Sequence, residues 1–363
     1  MLSFGCGKTT KQKESDGKES NGSSEYYTMD DFKSVKKIDI HIHINSEGKT
    51  LLNEARDHKF QILSMAVDVA DHYPSMEEQL RVRIKHQKED PKVIAFATAF
   101  TLEDWDKPNW SDKVIKQLKK DFANGALGVK VWKNIGMVER DAEGELIMLD
   151  HPKFDPIFQF IKDQNKVLLS HAGEPKNCWL PIEEMTVKND QNYFSKNSAF
   201  HMYKHPEMPS YEDQIEARDN MLAKNKEVTF VGVHLASLEW SVDRITNFLD
   251  RFPNASVDLA ERISHLQAQS INDREKVRNF IIKYQDRIVY GTDFSESDKS
   301  EPDALRKNMQ EVWMNDWKYF NTDQTMSVPQ LDTSFQGLKL PKVIVDKIYY
   351  QNAFKIFPNG WKE

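Results

Sequence analysis

Ile38-Asp39-Ile40-His41-Ile42-His43, residues 38–43, is an apolar run that ends in two histidines. In extended backbone, side chains two residues apart point to the same side, so His41 and His43 can grip one ion between them. A lone His-x-His occurs by accident in many chains. Its weight here comes from how other apolar runs end: Val167-Leu168-Leu169-Ser170 runs into His171, Phe230-Val231-Gly232-Val233 into His234, and Val289-Tyr290-Gly291-Thr292 into Asp293. Such residues converge only if their strands lie side by side, parallel, with their carboxyl ends together.

The remaining sequence has that rhythm. Eight short runs rich in Val, Ile and Phe, at 35–40, 60–67, 93–100, 126–132, 167–170, 228–233, 255–259 and 288–291, alternate with longer amphipathic stretches. This pattern argues for βα units, and eight is the number a closed (β/α)8 barrel needs. Helices are expected at 76–88, 112–122, 154–163, 211–223, 242–251, 273–284 and 341–356. Two connections are unusually long, from 172 to about 210 after the fifth strand and from 294 to about 340 after the eighth. In a barrel both are expected at the carboxyl-end face, where sites assemble. The first carries Trp179, Tyr193, Phe194, Phe200, His201, Tyr203 and His205, which suits either a lid over a pocket or simple packing onto the rim.

The net charge of -7 leaves no broad basic surface for a phosphate backbone, so nucleic acid is not an expected partner. No run of about 18 apolar residues occurs, so no membrane-spanning helix is expected. Two cysteines, Cys6 and Cys178, lie in contexts too different to expect a disulfide. Residues 1–34 read as a polar tether ahead of a barrel at 35–363. Gly5-Cys6 followed by a Lys/Ser/Gly-rich run resembles the mature start of a bacterial lipoprotein, although the basic and apolar parts of a signal peptide do not precede it. Two locations follow: the cell envelope or periplasm with a lipid anchor at Cys6, or the cytoplasm with an incidental cysteine. A homo-oligomer is left open.

Six pieces in order, His41-Ile42-His43, Gly128-Val129-Lys130, Ser170-His171-Ala172-Gly173, Gly232-Val233-His234-Leu235, Tyr290-Gly291-Thr292-Asp293-Phe294 and the closing 350–357, resemble the amidohydrolase superfamily, more closely its amidohydrolase-related branch. The resemblance covers residues 36–357. It implies that His41, His43 and Asp293 bind a divalent metal, usually zinc, while His171 and His234 bind a second ion or complete the first site. It also implies that Lys130, at the end of strand four, is carboxylated and bridges two ions; the rival reading is an unmodified Lys130 that faces the pocket and binds a substrate carboxylate beside a single metal.

Neutral imidazole and carboxylate suit zinc, and an open coordination position lets the ion lower a water's pKa. Asp293 is then expected to be ligand and general base together, with His234 or His171, if not bound to metal, stabilising the developing anion. Arg262 is the preferred contact for a substrate carboxylate. Trp132, Lys133 and Trp179 are further substrate-binding candidates, and Glu261, His265 and His72 candidates for the pocket mouth. Glu174 and Asp39 are candidates for orienting a ligand. Hydrolysis of a C–O or C–N bond in a small lactone, ester or amide is the first expectation. Decarboxylation of a small unsaturated or aromatic acid is the alternative, and a non-catalytic ligand-binding surface lipoprotein the second alternative, which the complete ligand set opposes.

Overall fold

The computed structural model describes residues 1–2, 25–69 and 73–362, so Cys6 and His72 lie outside the described residues. The strands are β1 (Lys37–Ile44), β2 (Phe60–Met65), β3 (Ile94–Ala99), β4 (Gly128–Val131), β5 (Val167–Ser170), β6 (Thr229–Gly232), β7 (Ala255–Asp258), β8 (Ile288–Val289) and β9 (Phe294–Glu296). Neighbours pair in parallel in the order β8-β7-β6-β5-β4-β3-β2-β1-β9. Since β8 and β9 are separated only by residues 290–293, they are two halves of one eighth strand: β8 pairs with β7 and β9 with β1. The Ile40 amide donates to Tyr290 O at 3.1 Å and the Asp293 amide to His41 O at 2.7 Å, which stitches the gap. The fold is a closed (β/α)8 barrel.

Alternation along the strands sorts the core into two parts. Leu63, Met65, Ala95, Ala97, Leu169 and Val231 fill the barrel, and Ala353, Phe357 and Trp361 of the carboxyl-terminal segment pack against them. The intervening positions, such as Ile62, Ile94, Leu168 and Phe230, face helices through residues such as Phe158 and Phe248. β1 breaks the alternation. Ile38 and Ile40 belong to the inner group, Ile42 and Ile44 to the outer. The cause is an extra residue: Asp39 pairs with Ile62 but Ile42 with Ser64. This bulge shifts the parity, so that His41 and His43 face inward on the same side as the isoleucines that precede them.

Two expectations are corrected. Residues 25–34 are not tether. Tyr27 donates to Asp346 at 2.8 Å, Trp317 donates to Thr28 O at 2.9 Å, and Phe32 is buried against Trp317 and Phe60. Two aromatics in a polar stretch supply the apolar area that pins it down. The connection after the eighth strand contains a long helix, Pro302–Asn321, whose Trp313 stacks on Phe60 at 4.4 Å; it is part of the outer layer as well as the mouth. Among the described residues no helix is long and apolar enough to cross a membrane.

The same region holds a buried lysine without a carboxylate. Lys37 Nζ lies 4.4 Å from the Phe32 ring centroid and 4.9 Å from that of Phe60 and donates to Phe32 O and Val35 O; burial pushes it down from 10.5 to about 7. Between those values the unfolded chain binds the extra proton, so stability rises with pH from about 7 toward 10, and below 7 the penalty is fully present. Denaturant titrations at pH 7, 8, 9 and 10 are expected to show this rise in the native protein and a flatter profile in Lys37→Met. Identical slopes in the two proteins would remove Lys37 as the cause.

Candidate metal centre

Three imidazoles are locked into one tautomer by what their Nδ1 atoms touch. His41 Nδ1 lies 2.8 Å from Asp258 Oδ2, His43 Nδ1 2.9 Å from Met65 O, and His234 Nδ1 2.9 Å from Ala260 O. Each partner is acceptor-only, so each Nδ1 carries the hydrogen and each Nε2 keeps its lone pair. The Nε2 atoms converge on Asp293: His43 at 3.0 Å and His41 at 3.3 Å from Oδ1, His234 at 3.8 Å from Oδ2. Lone pairs aimed at a carboxylate leave an electron-rich focus that only a cation can satisfy, and the donor set suits zinc or a similar divalent ion. His41, His43 and Asp293 form one group with ligand atoms all within 4.8 Å; His41, His234 and Asp258 form another.

Burial pushes His43 down and His234 and His171 well down, which keeps them neutral as ligation requires. Burial works to raise Asp293, and the opposing pull that lowers it well below the usual range comes from the histidines only in their proton-bearing forms; with the lone pairs turned inward, a cation would supply that pull. Asp293 sits at φ +69, a conformation aspartate tolerates better than most residues.

His234 is presented by an unusual turn. Residues 234–237 take φ of +57, +55, +57 and +55, a left-handed stretch without glycine that costs about 1–2 kcal/mol per residue. Buried hydrogen bonds hold it: Asp258 Oδ1 accepts from the His234 amide at 2.6 Å, Arg218 donates to Ala236 O, and Ser237 donates to Gly173 O at 3.2 Å. Gly232 lets it pack, since a Cβ there would meet Ala236 Cβ at 2.5 Å. Gly232→Ala is expected to cost about 1–3 kcal/mol by overpacking. Adding Ala236→Gly removes both the clash and a left-handed alanine and is expected to return most of that loss. Melting midpoints of single and double variants test this, and a double variant no more stable than the single one refutes it.

Lys130 projects from β4 to 3.3 Å from His41 Nε2, and burial pushes its amine down to about 8. His171 stands behind His234 with ring centroids 4.3 Å apart; its Nε2 is buried without a hydrogen-bond partner, 3.5 Å from Glu174 Oε2. Asp39 takes its hydrogen bonds from the His41 amide and from the Thr292 amide and hydroxyl, so it fastens backbone instead of orienting a ring.

His41, His43, Lys130, His171, His234 and Asp293 line a cavity of about 540 Å³ together with Tyr73, Trp132, Tyr193, Phe194 and Arg262. Arg262 is buried, its Nε has no hydrogen-bond partner among the described residues, and its guanidinium donates to Glu261 O at 3.2 Å. Burial works against its charge, but Asp190, Glu239 and Glu261 more than offset that. Lys133 also lines the cavity, but its ammonium is engaged by Glu174 and boxed by Trp132, Tyr193 and Phe200 at 4.9–5.3 Å. Its charge is spent within the protein. Trp179 is a correction: it donates to Pro209 O at 3.2 Å and packs edge-on against Tyr211, away from the cavity. The segment after β5 has its own core of Cys178, Met185, Phe194 and Met202, so most of its aromatics pack and only Tyr193 and Phe194 face the pocket. His265 is turned to Asp190 at 3.2 Å.

Three residues of the site went unread in the sequence. Asp258 ends β7 as the shared anchor of His41 and His234, Tyr73 stacks on His43 at 5.6 Å, and Asp190 faces His265 and Arg262. Asp258 obeys the strand-end rule that picked out the others.

Comparison with known proteins agrees with the fold. Residues 38–358 match the amidohydrolase family model. Similar solved structures include an uncharacterized TIM-barrel protein from Bordetella bronchiseptica, 13% identical with a TM-score of 0.54 over 90% of this chain and 99% of that one. A 2,6-dihydroxybenzoate decarboxylase from Rhizobium is 11% identical, TM-score 0.53, over 89% and 98%. A dihydroxybenzoic acid decarboxylase from Polaromonas sp. JS666, with bound manganese and 2-nitroresorcinol, is 10% identical, TM-score 0.52, over 89% and 96%. At such identities the likeness is one of fold. No curated protein matches the chain.

Proposed function

From the premise that this chain belongs to the amidohydrolase family, we propose that it is a metal-dependent hydrolase cleaving a C–O or C–N bond in a small molecule that carries a carboxylate. One divalent ion, zinc in this reading, is held by His41, His43, His234 and Asp293. The observation that carries the proposal is the convergence of three tautomer-locked Nε2 atoms on Asp293.

Such an ion supplies Lewis acidity and lowers the pKa of the attacking water. Oδ1 of Asp293 lies beside both His41 and His43, so it is the oxygen that would meet the ion, while Oδ2, 3.8 Å from His234, would accept the proton of that water. His171, neutral and unpartnered at Nε2, is placed to hydrogen-bond the carbonyl oxygen as charge develops on it. Arg262 binds the substrate carboxylate through the donors it does not spend in the protein. Lys130 acts as a plain amine beside the ion, since one ion needs no bridging carbamate.

Elemental analysis of the purified chain and assays on a panel of esters, lactones and amides test this. About one ion per chain and metal-dependent cleavage are expected. Decarboxylation is the second reading, favoured by the aromatic walls of the cavity and by the activity named for the Rhizobium and Polaromonas proteins. Release of carbon dioxide from small aromatic acids, with no cleavage across the panel, would install it instead.

A further inference from the structure

Beside the histidine-lined cavity lies a second one of about 280 Å³, and the two share Asn189 and Glu261 as a common wall. Glu261 follows β7 at φ +56, a conformation few residues with a side chain adopt, and its carboxyl faces the Asn189 amide at this partition. The bond from the Lys188 amide to Gln330 O at 3.0 Å ties the segment after β5 to the connection after the eighth strand and roofs the chamber.

Seven of its fifteen lining residues are uncharged and polar. Asn189, Gln267, Asn308, Asn315 and Gln330 bring amides, and Ser264 a hydroxyl. Asn189 Oδ1 and Ser264 Oγ are buried without a hydrogen-bond partner, and Ser264 is only 9% exposed. Buried polar atoms are ordinarily paired, so these two lining residues keep hydrogen-bonding capacity that the described residues leave unused. No lysine, arginine or histidine lines the chamber, which disfavours an anion there. Asp316 accepts from the Tyr290 hydroxyl at 2.7 Å and burial pushes it up to about 7, so it is no strong lure for a cation. Amides that donate and accept in several directions match hydroxyl groups, which do the same.

We propose that this chamber binds a neutral polyhydroxylated arm of the substrate, reaching past Glu261 from a carboxylate or carbonyl held at Arg262. Arg262 and Glu261 are consecutive, so an anion on the guanidinium already stands at the partition. The inference rests on the metal-hydrolase reading for its reactive end but not for its arm.

Calorimetric titration of the full chain with sodium D-gluconate and with sodium hexanoate tests it without turnover. These probes match in carboxylate and carbon number and differ in hydroxyls. Gluconate is expected to bind about tenfold tighter, and Asn315→Leu, on a helix that leucine suits, to lose about tenfold toward gluconate while hexanoate is unchanged. Chelation of a bound ion would be the same in both proteins, so the loss on substitution isolates the chamber. Gln267→Met is the second variant should the first fail to fold. Equal or tighter binding of hexanoate, or gluconate affinity untouched by both substitutions, overturns the proposal. A protein that prefers gluconate yet cleaves no ester, lactone or amide keeps the chamber and loses the hydrolase reading.

Discussion

Asp293→Asn is expected to lower kcat/KM about 10³-fold or more on whichever panel substrate is cleaved, with the far-ultraviolet spectrum unchanged. The asparagine has the same shape, and its oxygen can still face His41 and His43, which lie 3.3 and 3.0 Å from Oδ1. What goes is the negative charge that three Nε2 atoms surround, and with it the basic oxygen proposed to take a proton from water at their focus. Steady-state kinetics together with substrate affinity at low turnover decide the matter. A loss below about tenfold would take the base role from Asp293, and affinity retained without any catalysis in the native protein would favour a binding module.

Asp258→Asn is expected to weaken metal binding about 10–100-fold, although Asp258 is not one of the proposed ligands. Asp258 Oδ2 accepts from His41 Nδ1 at 2.8 Å, and an amide nitrogen in its place would offer a hydrogen where one is already present. The ring then turns over to the tautomer with its hydrogen on Nε2, and the lone pair aimed at the ion is lost. Oδ1 of the asparagine still accepts from the His234 amide, so the left-handed turn is kept and stability changes less than affinity. Asp258→Ala removes both functions and is expected to unfold at lower denaturant as well. Competition against a chromophoric chelator reads the affinity; an unchanged dissociation constant in the asparagine variant would mean that His41 does not depend on Asp258.

Strand positions were legible because buried parallel strands write continuous apolar runs, and the strand-end histidines were legible because their neighbours in sequence are those runs. The bulge in β1 was not, since Ile38 to Ile44 alternate perfectly in sequence and only the pairing with Ile62 and Ser64 reveals the extra residue. Asp258 escaped notice because one aspartate at the end of Ala255-Ser256-Val257 looks like any polar strand terminus; its meaning comes from two histidines far away in the chain. Trp179 misled for the opposite reason: an aromatic near a ligand suggests a pocket wall, yet its indole hydrogen is satisfied by Pro209 O within the loop. Helix Pro302–Asn321 hid in a charged stretch, where burial of Trp313, Trp317 and Phe320 outweighs what the local pattern suggests. Residues 25–34 were assigned by composition, which does not register that Tyr27 and Phe32 both meet Trp317.

The interruption between β8 and β9 ties assembly to chemistry. His41 and Asp293, the two residues at the heart of the proposed centre, also supply one of the backbone bonds that zip the first strand to the last. A cylinder that breathes along this line must pull its own ligands apart, and a cation gripping them acts as a rivet across the join. Occupancy is therefore expected to slow opening of this edge, and amide exchange at Ile40 and Asp293 is where the slowing should register.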